Sequence, residues 1–176
     1  MKKLKLEELG RMDIAAFKAA SKTPIIIVLD NIRSMNNIGS VFRSADAFAV
    51  EAIYLCGITA QPPHREIEKT ALGATDSVQW KYFENTLAAI ADLKAKAYHI
   101  CAIEQVANSV SLAQLSIDKE LKYALIFGNE VMGVEQQAIN QSDTCIEIPQ
   151  FGTKHSFNIA VTAGIVLWEC YRQLHK

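Results

Sequence analysis

The chain has 176 residues, half of them apolar and 21% charged, and its net charge is −1. That size supports one domain with a core of its own and needs no covalent staples. A near-neutral balance excludes recruitment of nucleic acid by a global positive field, so any RNA contact has to use local basic groups.

The four cysteines, Cys56, Cys101, Cys145 and Cys170, form no CxxC pair and lie in or beside apolar segments. They read as buried small hydrophobes in a reducing compartment. The four histidines have no metal-ligand spacing, so no metal is expected. The start, MKKLKLEELGRMD, has no apolar core of the signal-peptide kind. The longest apolar run, Ile159 to Trp168, is too short for a membrane span. A cytoplasmic protein with no membrane partner is expected.

Residues 4–20 suggest an amphipathic helix, with Leu6, Leu9 and Phe17 among its apolar positions and Lys2, Lys3 and Lys5 ahead of it. Glu7, Glu8 and Asp13 dilute the basic charge, which favours a packing arm over an RNA-touching extension. Residues 1–22 are therefore expected to be a helical extension of a domain covering 23–176. The run IIIVL, residues 25–29, is apolar on both faces, as a buried parallel strand should be. A polar loop, Asp30 to Asn36, leads to a helix from about Asn37 to Phe48, with Ile38, Val41, Phe42, Ala45 and Phe48 in helical period. Asn36 or Asn37 can cap it.

Arg43 lies four residues after Gly39 on that helix. Its side chain leans toward the helix start, over Gly39, whose missing side chain leaves room for a ligand. Free N–H groups at the helix start could hold a phosphate. The bland alternative is a solvated arginine on a polar face.

Strands are then expected over 52–56, 78–83, 98–103, 123–127 and 146–148, and helices over 64–72 and 85–96. Residues 108–120 read as polar with a helical turn or two. Strands alternating with helices predict an α/β fold, a parallel sheet covered on both faces. The stretch from Tyr123 to Glu169 holds two strand–loop junctions, the place where open α/β sheets bind ligands. The last helix carries one apolar stripe at Ile159, Ala163, Val166, Leu167 and Cys170, and a second at Val161, Ile165 and Trp168. A helix apolar nearly all round needs cover on every side, so a homodimer through it is expected.

Three segments, NNIGSVFRSADAF, IFGNEVMGV and IEIPQFGTKHSFNIAVTAGI, resemble in order the three motifs of the SpoU family of RNA ribose 2′-O-methyltransferases, within the SPOUT superfamily. The resemblance covers about residues 24–174. It implies a parallel sheet ending in an α/β trefoil knot whose loops bind S-adenosylmethionine across a homodimer interface. The matching positions are Asn37, Gly39 and Arg43 in the first motif, and Gly128, Glu130 and Gly133 in the second. The third gives Ile148, Pro149, Gly152, Ser156 and Asn158. Ile103, Gly128, Ile148, Ser156 and Phe157 are the implied cofactor positions, largely through main-chain groups. This chain departs from the family at Gln150, Phe157 and Ala160, and His155 is no family signature.

The resemblance makes Arg43 the catalytic residue, acting across the dimer, with Asn37, Glu130, Ser156 and Asn158 completing the site. The family role for Arg43 is often described as a general base, but a guanidinium stays protonated. Orientation of the hydroxyl and stabilisation of developing negative charge suit it better. Asn37 and Glu130 would position Arg43 or line the pocket, Ser156 would meet a phosphate of the target, and Asn158 would hold the loop or cap the last helix.

A Rossmann-type enzyme would need a G-x-G-x-x-G turn, which the loop DNIRSMNNIGS lacks. A non-catalytic RNA-binding member would be expected to lack Arg43 or the cofactor loops, and both are present. In an unrelated α/β domain the loops would be mere polar turns. The short N-terminal segment and KTALGA, residues 69–74, resemble compact members that act on tRNA, which favours tRNA over rRNA as partner.

Overall fold

A computed structural model describes residues 1–175, and the side chains of Leu6 and Glu7 lie outside that description, as does Lys176 at the end of the expected domain. The apolar role expected of Leu6 therefore falls outside the described side chains.

The fold is built around β1 (Thr23–Asp30), which pairs in parallel on one edge with β2 (Val50–Cys56) and on the other with β6 (Lys122–Phe127). Beyond β2 lies β3 (Gln79–Phe83), and beyond β6 come β4 (Tyr98–Ile103), β7 (Thr144–Glu147) and the two-residue β5 (Val110–Ser111). The resulting seven-stranded sheet has the order β3-β2-β1-β6-β4-β7-β5, with every pairing parallel. Alternation along β1 explains its uninterrupted apolar run. Ile25, Ile27 and Leu29 join one core, while Ile26 and Val28 join the other.

The first core lies under α2 (Met35–Ala47), α3 (Arg65–Ala71), α4 (Ala74–Ser77) and α7 (Ile159–Leu174), which contribute Ile38, Phe42, Ile67, Val166 and Leu167. The second lies under α5 (Thr86–Ala95) and α6 (Gln136–Gln141), which contribute Ile90, Leu93 and Ala138. Each fully buried Leu, Ile or Phe contributes about 1.5–3 kcal/mol, so the two layers hold the sheet from both sides.

Several boundaries differ from expectation for local reasons. β1 begins two residues early, because Thr23 already bonds to Ala49 through its N–H and to Phe48 through its hydroxyl. β7 ends at Glu147, and Pro149 beyond it lacks the N–H that would extend the ladder. The single helix expected over 4–20 is two pieces. A 3-10 turn, Leu6–Leu9, stops at Gly10 in the left-handed region (φ 59°), and Asp13 caps a new helix, α1 (Ile14–Ala19), by accepting from the Ala16 N–H at 2.7 Å. Phe17 is the buried residue of α1 and docks it on the first core. Residues 108–120 hold β5 and a 3-10 turn, Leu112–Gln114.

All four cysteines are free; Cys56, Cys101 and Cys170 are buried, and burial pushes the Cys56 and Cys170 thiols up to about 12. Among the described residues no helix is long and apolar enough to cross a membrane, and no group of three or more His, Cys, Asp or Glu is placed to hold a metal ion.

Gly39 has a purpose different from the one expected. A Cβ there would overlap the Ile67 carbonyl oxygen and the Thr70 hydroxyl. The missing side chain makes room for α3 and not for a ligand. Alanine is the better helix former by about 1 kcal/mol. Gly39→Ala is nevertheless expected to destabilise the protein by about 1–3 kcal/mol through overpacking. Urea denaturation reads this directly, and a stabilised variant would contradict the close packing.

Candidate functional site

The strand order changes direction beside β1. The chain leaves β1 toward α2 on one face, and leaves β6 toward α6 on the other. Such a switch point opens a crevice outside the carboxyl ends of the strands. Here the ends of β6, β4 and β7 supply its walls.

The wall after β6 is the tight loop 128–133. Asn129 and Gly133 exchange backbone hydrogen bonds at 3.0 and 2.9 Å, and the Asn129 side-chain oxygen accepts from the Val131 and Met132 N–H groups. A Cβ on Gly128 would overlap Gly133 and the Val134 nitrogen, so only glycine allows the loop to close this tightly. Gly133 adopts φ +71°, where glycine is favoured, and its open side receives the Glu104 carboxylate. Glu104, just past β4, accepts from the Val134 N–H at 3.0 Å and the Gln105 N–H at 2.9 Å. At the end of β1 the buried Asp30 accepts from the Thr86 hydroxyl (2.6 Å), the Asn31 amide (2.8 Å) and the Glu135 N–H (2.9 Å).

Three residues predicted as site members form a continuous polar chain. Glu130 accepts from the Arg33 and Ser34 N–H groups at 2.9 and 3.0 Å, and from the Asn37 amide at 3.1 Å. The Asn37 amide oxygen accepts from the Asn158 amide at 3.1 Å. The Asn158 oxygen in turn accepts from the Ala160 and Val161 N–H groups, which caps α7. Asn158 thus caps a helix and holds a loop together. The cap of α2 is Ser34, whose hydroxyl accepts from the Asn37 N–H, and not Asn36 or Asn37. The turn ahead of α2 meets a carboxylate of the chain itself, because Glu130 takes the Arg33 and Ser34 N–H groups that precede the helix. Glu130 engages this turn and not Arg43. Burial works to raise the Glu130 carboxyl, but the bonds from the Arg33, Glu130 and Ser34 N–H groups and the Asn37 amide outweigh it, holding the group below its ordinary value.

Between these walls lies a cavity of about 690 Å³. All five residues predicted for the cofactor, Ile103, Gly128, Ile148, Ser156 and Phe157, line it, as do Glu130 and Asn158. Asn37, Gly39 and Arg43 do not. Arg43 is exposed on α2, and its guanidinium makes no hydrogen bond or ion pair among the described residues. Reasoning from sequence missed Glu104, Asn129 and Asp30 as shaping groups. The one available signal was a polar or acidic residue within two positions of the end of each apolar run.

Glu130 and Asn158 each give a test. The contribution of Glu130 is present above its unfolded value, near 4.5, and is lost as pH falls through the lowered folded value. Glu130→Gln should therefore cost roughly 0.5 kcal/mol at neutral pH, the size for a screened charge at a helix start. The gap to wild type should close in acid, as followed by denaturation across pH. Asn158→Ala should cost about 1 kcal/mol as a lost cap, with Asn158→Asp recovering most of it. Equal losses in thermal melts would refute the cap.

A family model described as the SpoU rRNA Methylase family matches residues 24–168. The chain is 29% identical over 153 residues to the 23S rRNA (guanosine-2′-O-)-methyltransferase RlmB of Neisseria meningitidis, covering 87% of this chain and 60% of that protein. It is 30% identical over 171 residues to the tRNA (guanosine(18)-2′-O)-methyltransferase TARBP1 of Mus musculus, covering 94% of this chain and 10% of that one. It thus spans less than two thirds of either relative. Among solved structures, an AdoMet-bound rRNA methyltransferase from Sinorhizobium meliloti superposes with a TM-score of 0.80 at 28% identity, covering 91% of this chain and 61% of that one. The A. aeolicus TrmH/SpoU tRNA modifying enzyme superposes with a TM-score of 0.78 at 25% identity, covering 91% and 79%.

Proposed function

The chain belongs to the SpoU methylase family, and from that membership we propose that it moves a methyl group from S-adenosylmethionine to a ribose 2′-hydroxyl of RNA, with tRNA favoured over rRNA. The observation that carries this reading is the single cavity that gathers Ile103, Gly128, Ile148, Ser156 and Phe157 at the carboxyl ends of β4, β6 and β7.

The cavity fits the cofactor. Its volume is within the range of small-molecule sites. Ile103, Ile148 and Phe157 offer apolar surface to the adenosine, and Glu104 and Glu130 offer negative charge to a cationic ligand. S-adenosylmethionine supplies a methyl group already activated for transfer. The chain's own task is to hold the ribose and to manage the charge that develops on its oxygen as the proton leaves to solvent. Arg43, permanently protonated, suits the stabilisation of that oxyanion and the orientation of the hydroxyl. Ser156, exposed on the cavity wall, is placed to donate to a phosphate of the target. Asn37, Glu130 and Asn158 tie α2 to the loop 128–133 and to α7, so that Arg43 rides on a helix fixed to the cofactor walls.

Arg43 does not line the cavity of its own chain. A homodimer in which each copy presents Arg43 to the other's cavity resolves this. The second stripe of α7 supports it, since Val161 and Trp168 are 51% and 54% exposed while the first stripe is buried in the core. The trefoil knot through the loops after β6 and β7, the split into an extension (1–22) and a methyltransferase domain (23–176), and a cytoplasmic location belong to the same proposal. The knot is supported by the fold likeness, and the split by a family match that begins at residue 24.

Mass spectrometry of 2′-O-methylated nucleosides in tRNA and rRNA, with and without the gene, tests the activity and separates the two RNA classes. Loss of no methylated nucleoside from either would overturn it. Arg43→Ala is expected to lower turnover by at least about 100-fold. Cofactor affinity by calorimetry and dimer mass by light scattering should stay unchanged, and normal turnover would remove Arg43 from the mechanism.

A further inference from the structure

The loop between β7 and α7 holds an aromatic ring in solvent beside the cavity. Phe151 is 97% exposed, and its neighbours in the loop, Gln150 and His155, both line the cavity. The loop is not adrift. The Gln105 side-chain amide donates to the His155 carbonyl at 3.2 Å, and the Asn158 cap fixes its far end. Three residues past Phe151, Lys154 is exposed and makes no hydrogen bond or ion pair among the described residues. A single exposed apolar side chain needs no explanation. This one follows Gln150 in a loop whose cavity-lining residues include Phe157, 42% exposed, and Met132, 83% exposed, lines the same cavity.

We propose that Phe151 and Lys154 hold the target nucleotide of the RNA, Phe151 by stacking on its unpaired base and Lys154 by pairing with its phosphate. The assignment rests on the methyl-transfer reading above. Three observations support it. An RNA offers its 2′-hydroxyl to a cavity most readily where the strand is looped and its bases are splayed, and such bases stack on aromatic side chains. The cavity itself is lined by Glu104, Glu130 and Glu147. Those carboxylates repel a phosphate, so one that meets Ser156 needs a cation beside it, and Lys154 is exposed two residues before Ser156 on the same loop. The combination of a ring for the base and a point charge for the backbone, three residues apart on one anchored loop, matches the two chemistries of one nucleotide.

The test measures transfer of labelled methyl from S-adenosylmethionine to bulk tRNA from cells lacking the protein. Wild type is compared with Phe151→Ala, Phe151→Leu, Phe151→Trp and Lys154→Ala. Loss of one base–aromatic stack should raise the KM for RNA about ten-fold in the Ala and Leu variants, with Trp near wild type. Cofactor affinity, kcat and dimer mass should be unchanged in all. Lys154→Ala should reduce the salt slope of RNA binding by about one. A Leu variant equal to wild type would mean a merely apolar contact, and a monomeric Ala variant would mean that a second copy covers the ring. Either result, or an unchanged KM, overturns the proposal while leaving methyl transfer standing. A wild-type protein that methylates no RNA overturns both.

Discussion

A helix begins with N–H groups that have no partner within it. In α2 the turn ahead of the helix meets a carboxylate nearly a hundred residues further along the chain, that of Glu130. One end of this contact belongs to the helix that carries Arg43, the other to the loop that walls the cavity. The Asn37–Asn158 bond extends it to the start of α7. Three motifs far apart in sequence are thereby held in one geometry by a few hydrogen bonds at exposed positions. Those bonds carry little stability individually; their importance is positional, because they tie the turn ahead of α2 to the loop and to α7.

Beneath this, the cavity is shaped by backbone more than by side chains. Gly128 lies so close to Gly133 and Val134 that no other residue would fit, and the Glu104 carboxylate occupies the side of Gly133 where a Cβ would be. Asp30 ties the end of β1 to α5 and to the start of α6. A wall built in this way is set before any ligand arrives, which is what a reaction depending on close alignment of two groups requires. The buried cysteines are bystanders. Their burial disfavours the thiolate, the form in which a cysteine attacks or binds a metal.

Much of this was legible in the sequence, though unevenly. The run IIIVL declared a two-faced strand, and the structure divides its residues between the two cores. The loops after 103, 127 and 148 could be placed because apolar strands stop abruptly there. Other features depend on partners distant in sequence. Gly39 looked like space for a ligand, yet the space belongs to α3, and nothing in its own neighbourhood says so. The sequence suggested Asn36 or Asn37 as the cap of α2, yet Asn37 is turned to Glu130 and Ser34 takes the role. β5 is two residues long and exists only as a partner of β7. The break at Gly10 and Asp13 is the exception. Both signals are local, and a continuous apolar period across them masked a stop followed by a start.

The place of β1 inside the sheet, between β2 and β6, also bears on how the chain is made. Its β2 edge is covered within some thirty residues, but its other edge pairs Ile25 to Leu29 with Tyr123 to Phe127. During synthesis, that apolar edge stays open until about a hundred further residues have left the ribosome. An uncovered strand of this kind is a template for pairing with neighbouring chains. The residues that give the mature protein its firmest core are thus the ones most in need of shelter on a nascent chain.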